Sequence, residues 1–150
     1  MRKGILYGVL LAAALLAPTD DVKLGKMKPV ETVSIRTQEG RVLIETDTED
    51  MGSGETFKEA LKDLEKTTPG RIYLDTAQYL LIGEEAEGMV PELEAMLKDG
   101  TRLCKREGEV DMKTVGEYLR QHTPEMKLKN WKQGDRLEVL TAENGRLKLK

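Results

Sequence analysis

Two adjacent glutamates follow a long run of mostly apolar residues near the middle of the chain. Glu84 and Glu85 come directly after RIYLDTAQYLLIG, residues 71–83. Paired carboxylates at the end of a strand could act as general acid and base, but they would need a partner group and a pocket. The segment GMVPELEAMLKDG, residues 88–100, has the spacing of an amphipathic helix, whose N-terminus is stabilised by negative side chains. The pattern therefore favours a core strand followed by a helix over a catalytic pair.

Metal, nucleophile and nucleotide sites find little support in the remaining residues. The acidic run from Asp47 resembles a calcium loop, but Met51 and Lys58 stand where that loop needs oxygen ligands. One histidine, His122, and one cysteine, Cys104, cannot supply a zinc site alone, and His122 lies at a predicted helix end. The stretch MGSGETF lacks the phosphate-loop pattern. We therefore predict no catalytic, metal or cofactor-binding residues and no cofactor.

One short segment, KLKNWK, combines basic and aromatic residues. Lys127, Lys129 and Lys132 flank Trp131. This group could contact an acidic cell-wall component, a phospholipid head group or another protein. It is equally natural as a partly buried indole covered by lysine stems. We list these four residues as a possible interaction surface and leave both readings open.

Composition and the N-terminal residues bear on location. The 150 residues carry a formal charge of −3 and only 4% aromatic residues, which argues against nucleic acid as a partner. Residues 1–20 begin with Arg2 and Lys3 and continue with 14 apolar residues, a length that suits a secretory signal better than a full membrane span. We predict a signal peptide or N-terminal anchor over 1–20, a linker over 21–29 and one domain over 30–150. The domain would be exported, and the sequence leaves cleavage open.

Periodicity predicts the elements of that domain. Residues 31–47 alternate as a β-hairpin, and residues 57–64 have an apolar stripe of helical spacing with Ser53 as the expected N-cap. Residues 71–82 are predicted as a strand inside a sheet, followed by the helix within residues 88–100. A strand over 101–107, where Cys104 is expected to be buried, a helix after Asp111 and a hairpin around Asn144-Gly145 complete the chain. The order ββαβαβαββ predicts an α+β fold with a mixed or mostly antiparallel sheet and about three helices.

Three motifs in the same region resemble a known family. They are GSGETFKEALKDLEK, RIYLDTAQYLLIGEEA and ELEAMLKDGTRLC. Their order is similar to the N-terminal domain of the Ger(x)C family, the GerAC-type C-subunit lipoproteins of bacterial spore germinant receptors. The resemblance covers residues 52–108, but Leu16, Ala17, Pro18 and Thr19 stand where the family has its lipid-modified cysteine. It implies a single-domain relative without the family's further domains.

The resemblance implies a function as well as a fold. The family works outside a membrane, in a complex that responds to nutrients, and has no known catalytic residues. We expect a non-enzymatic envelope protein that contacts germinant-receptor-like or other envelope proteins in sporulation or germination. Its location would be the outer face of the cytoplasmic membrane or the spore inner membrane, or the medium if it is secreted. The alternative is a small secreted cell-wall or peptide-directed enzyme, or an enzyme inhibitor, with the Trp131 segment as its contact surface.

Overall fold

The computed structural model describes residues 27–68 and 71–150. The predicted signal or anchor, residues 1–20, lies outside them, whereas the last residues of the predicted linker form a strand. The strands are β1 (Met27–Pro29), β2 (Thr32–Gln38), β3 (Arg41–Thr46), β4 (Met51–Gly54), β5 (Arg71–Tyr73), β6 (Tyr79–Ile82), β7 (Arg102–Arg106), β8 (Val139–Glu143) and β9 (Arg146–Leu149). The helices are α1 (Phe57–Thr67), α2 (Val90–Glu94) and α3 (Met112–Gln121). Short 3-10 turns cover Leu74–Thr76, Glu87–Met89 and Leu128–Asn130.

Seven strands form one mixed sheet. Their order is β4-β3-β2-β6-β7-β8-β9, and β1 pairs separately with β5. The central strands β2, β6, β7 and β8 run parallel to one another. At one side β3 pairs antiparallel with β2 and β4 pairs antiparallel with β3, and at the other side β9 pairs antiparallel with β8. The predicted α+β class with a mixed sheet and three helices is confirmed.

Helices cover both faces of this sheet. The first face carries Val33, Ile35, Leu80, Ile82 and Leu103 and packs against α1, α2 and the segment around Trp131. The second face carries Tyr79, Leu81, Cys104 and Leu140 and packs against Val115 and Leu119 of α3. Strand β6 is buried at all four positions because it is covered on both sides, as expected for a parallel strand inside a sheet. Burial of Cys104 is confirmed.

The edge of the sheet at β4 is closed by α1. Gly52 and Gly54 have no side chains, and a Cβ at Gly52 would lie 2.2 Å from the backbone oxygen of Ala60, so the helix packs directly on the strand. The carboxylate of Asp63 accepts a hydrogen bond from the amide of Ser53. The prediction that Ser53 caps this helix is wrong, because GSG is extended and Thr56 accepts the N-cap hydrogen bond from the amide of Glu59.

The segment predicted as one strand over 71–82 is divided. A 3-10 turn at Leu74–Thr76 separates β5, which pairs with β1, from β6 in the main sheet. The helix predicted within residues 88–100 is shorter than expected, a 3-10 turn over Glu87–Met89 followed by five helical residues. Glu84 and Glu85 therefore lie in a turn before these elements, and the expected stabilisation by a helix N-terminus does not apply to them.

Both predicted hairpins are present. β2 and β3 pair antiparallel around Glu39-Gly40, and β8 and β9 pair antiparallel around Asn144-Gly145. All four turn residues have positive φ, as the two-residue turns of hairpins require. No helix within the described ranges, 27–68 and 71–150, is both long and apolar enough to span a membrane.

Candidate functional site

A cleft of about 740 Å³ opens at the carboxyl ends of β2, β6 and β7. The chain leaves β6 for α2 on the first face of the sheet and leaves β7 for α3 on the second face. Connections that diverge to opposite faces leave a crevice between neighbouring parallel strands, and this is where open α/β sheets usually bind ligands. We call this crevice the carboxyl-edge cleft, and it is the candidate functional site.

Charged side chains dominate the walls of the carboxyl-edge cleft. Its basic residues are Arg36, Lys105 and Arg106, and its acidic residues are Glu84, Glu85, Glu87, Glu107 and Glu109. Each base has a carboxylate partner; the Lys105 ammonium lies 2.7 Å from Glu87. Among the described residues, the side chains of Glu84, Glu85 and Glu107 have no ion-pair partner. The cleft therefore combines satisfied cations with free carboxylates at its mouth.

Two arginines and two glutamates form a group that we call the arginine cluster: Arg36, Glu45, Arg106 and Glu109. All of them except Glu45 line the cleft. Arg106 is the most buried member, with a side chain only 1% exposed, and it forms ion pairs with Glu45 and Glu109. Arg36 donates to Glu45 at 3.0 Å and to Glu109 at 2.6 Å. The Arg106 guanidinium also donates to Ser34 Oγ at 2.9 Å and to the carbonyl of Gly108 at 3.1 Å. These contacts link β2, β3, β7 and the loop after β7.

Gly83 makes room for this cluster. Strand pairing places Ile35, Ile82 and Lys105 in one row across β2, β6 and β7, so the next row contains Arg36, Gly83 and Arg106. A Cβ at Gly83 would lie 2.4 Å from the Cβ of Arg36. Because the central position of the row has no side chain, the two arginines can approach each other across β6.

Electrostatics within the cluster favour the charged forms. The hydrogen bond from Arg36, together with the charges of Arg36 and Arg106, holds the pKa of the Glu109 carboxyl below its usual range. Burial acts to lower the pKa of Arg36, but Glu109 and Glu45 outweigh it and raise that pKa overall. The pKa values of Arg36 and Glu109 are thus shifted toward their charged forms, as expected for closely paired charges.

The sequence-predicted candidates fall in different places. Glu84 and Glu85 lie on the cleft, and Glu85 has a positive φ of 60°. His122 is the C-cap of α3, exposed, with its ring stacked on Tyr118 at 4.3 Å. Cys104 is buried far from solvent, and burial raises the pKa of its thiol to about 12, with a further contribution from Glu138. Within the described parts of the chain, no group of acidic, His or Cys side chains could hold a metal ion.

The segment predicted as an interaction surface has a buried centre. The indole of Trp131 is 6% exposed and belongs to the first-face core. Lys129 and Lys132 are exposed and Lys127 is half-buried. The arrangement matches the reading of a buried tryptophan with lysines around it, and a contact role for these lysines stays a prediction.

Sequence reasoning did not single out the arginine cluster. Two of its four ion pairs join residues that are 61 and 73 positions apart, so they depend on how distant parts of the chain are aligned. A signal was present nevertheless. Alternation in RLCKR places Arg106 on the same face as Cys104, which was predicted to be buried, and a buried arginine needs charged partners.

The chain was also compared with known proteins. No protein-family model, curated protein or solved structure matches it.

Proposed function

We propose that this protein is an exported, non-enzymatic interaction module of the cell or spore envelope, related to spore germination or sporulation, and that the carboxyl-edge cleft is its contact surface. Its partners would be envelope or germinant-receptor-like proteins, and the N-terminal segment would anchor it in the membrane if it is not cleaved. The basic and apolar N-terminus supports export. The resemblance to the Ger(x)C N-terminal domain supports the link to germination.

The observation that carries the proposal is the chemistry of the cleft. Its basic side chains form ion pairs with carboxylates, for example Arg36 with Glu109 at 2.6 Å and Lys105 with Glu87 at 2.7 Å. The described residues that line the cleft include no histidine, cysteine or serine. Such a surface offers fixed charges and hydrogen-bonding groups to a partner. A reaction centre would need one of the unpaired carboxylates, Glu84, Glu85 or Glu107, in contact with a nucleophile or a second proton-transfer group, and no such contact is present among the described residues.

The alternative, a secreted enzyme or inhibitor acting through the Trp131 segment, has less support. The burial of the indole removes the aromatic surface on which that contact would depend.

Site-specific photo-cross-linking in the native host tests the proposal. A photoreactive residue at Glu84, in tagged full-length protein, should give adducts with membrane or spore-envelope proteins during sporulation. The matched control is Lys62, an exposed residue on α1 away from the cleft, which should give none. Recovery of a processed protein from the medium of vegetative cells, without adducts from Glu84, would contradict the proposal and favour the secreted alternative.

A further inference from the structure

The arginine cluster has an unequal distribution of exposure among its charges. Arg36, Glu45 and Arg106 are 17%, 16% and 1% exposed, whereas the Glu109 side chain is 77% exposed. The interior part of the cluster thus contains two positive charges and one negative charge. Glu109, which reaches in from the loop after β7, supplies the second negative charge.

Both arginines that bind Glu109 also have other acceptors in the structure. Arg106 also contacts Ser34, Glu45 and the Gly108 carbonyl, and the distance from Arg106 to Glu109 is 3.5 Å. The short contact of Glu109 is with Arg36, at 2.6 Å. Arg36 still has a buried Nε donor without an acceptor among the described residues. A guanidinium can bind a carboxylate through two parallel hydrogen bonds, and the Arg36 guanidinium has one N–H group that donates to no described residue.

We propose that Arg36 and Arg106 form a carboxylate-binding site that Glu109 occupies as an internal, displaceable ligand, and that an acidic side chain of a partner protein takes its place. The inference rests on the proposed contact role of the carboxyl-edge cleft. The displacing group carries the same charge as Glu109, so the interior positive charge stays balanced during the exchange. The side chain of Glu109 is then released from the two arginines, while Gly108 stays bound to Arg106.

The cleft mouth argues for a protein as the source of this carboxylate. Glu84, Glu85 and Glu107 line the same cleft and repel small free anions that approach it. A carboxylate on a protein surface is supported by further contacts, including cationic neighbours that pair with these three glutamates. A free organic acid lacks that support.

The test compares two variants of the purified protein with the same net charge. Glu109→Gln removes the internal ligand, and Glu107→Gln removes a neighbouring carboxylate that has no described partner. We expect Glu109→Gln to melt at a lower temperature than Glu107→Gln at pH 7. Sodium acetate, compared with sodium chloride at equal ionic strength, should raise the Tm of Glu109→Gln in a saturable manner and leave that of Glu107→Gln unchanged.

A double variant identifies the site. Glu109→Gln combined with Arg36→Met leaves Arg106 and Glu45 as the charged residues of the cluster. Because their charges are equal and opposite, the effect of acetate on the Tm should disappear. Equal melting and equal acetate response of the two single variants would overturn the proposal, whatever the result of cross-linking in the host. The source of the displacing carboxylate is tested by repeating the Glu84 cross-linking in the Glu109→Gln background. If a partner protein supplies the carboxylate, this background should give more adduct than the wild-type background. An unchanged adduct yield beside a positive acetate effect would overturn the protein source in favour of a small acid.

Discussion

At the scale of single residues, Gly83 is one of the positions where the sheet leaves no room for a side chain. Adding a methyl group there brings it to 2.4 Å from the Cβ of Arg36. We expect Gly83→Ala to lower the free energy of unfolding by about 1–3 kcal/mol, the usual cost of overpacking. Gly88→Ala, in the same region but with no atom within 4 Å of an added Cβ, is the control. Urea unfolding measures the stability of both variants. Equal stabilities would show that β2 and β6 can move apart at Gly83 without an energetic cost.

Residue-scale features were only partly predictable. The sequence indicates that Gly83 breaks the strand, but the need for glycine there comes from Arg36 and the Ile35 carbonyl of β2, which are distant in sequence. Burial of Cys104 followed from residue type, since free cysteine is usually buried. The pairing of Arg106 could not follow in the same way, because its partners depend on how β2, β3 and β7 are aligned.

At the scale of elements, α1 begins at a different residue in the structure from the one that the sequence predicts. Thr56 accepts a hydrogen bond from the amide of Glu59, while Ser53, the predicted cap, lies in β4. Thr56→Ala should therefore lower the free energy of unfolding by about 1 kcal/mol, with most of it recovered in Thr56→Ser. Ser53→Ala should change it by less, since no hydrogen bond of the Ser53 hydroxyl to a described residue is present. The reverse order in thermal or urea unfolding would mean that the helix begins earlier than the structure has it.

Elements with strong local signals were predicted well. The two hairpins have alternating residues and turn sequences that need positive φ, and α3 begins after Asp111, which accepts from the amide of Lys113. Local signals fail where packing decides. The sequence GSGE carries cap-like residues, yet Gly52 is extended because β4 pairs with β3 and α1 packs against it. The break between β5 and β6 likewise depends on the pairing of β5 with β1.

At the scale of the whole molecule, the α+β class follows from the order of periodic segments, because helices that alternate with strands must cover a sheet. The arrangement of the strands does not follow. The parallel centre, the divergence of α2 and α3 to opposite faces and the resulting cleft all depend on contacts between distant residues. Of the candidate site, the sequence therefore indicated only Glu84, Glu85 and the preceding Gly83.

Acid unfolding tests how the ion pairs at two ends of the sheet contribute to the stability of the whole domain. Arg36 lowers the pKa of Glu109 at the cleft, and Lys148 and Lys150 lower that of Glu143 in the β8–β9 hairpin. A carboxyl whose pKa is lower in the folded state stabilises the fold above its unfolded pKa, and this contribution is lost as the pH falls through the folded value. Stability should therefore decrease between about pH 5 and pH 3, where glutamates titrate.

The double variant Glu109→Gln/Glu143→Gln should show a shallower decrease over that range than the wild type, because it no longer binds those two protons. Glu84→Gln/Glu85→Gln removes two carboxylates that have no partner among the described residues, and we expect it to keep the wild-type slope. Urea unfolding at a series of pH values gives the slope for each protein. If both double variants follow the wild type, the lowered pKa values do not contribute to the acid sensitivity of the fold, and unfolded-state interactions or other carboxylates must account for it.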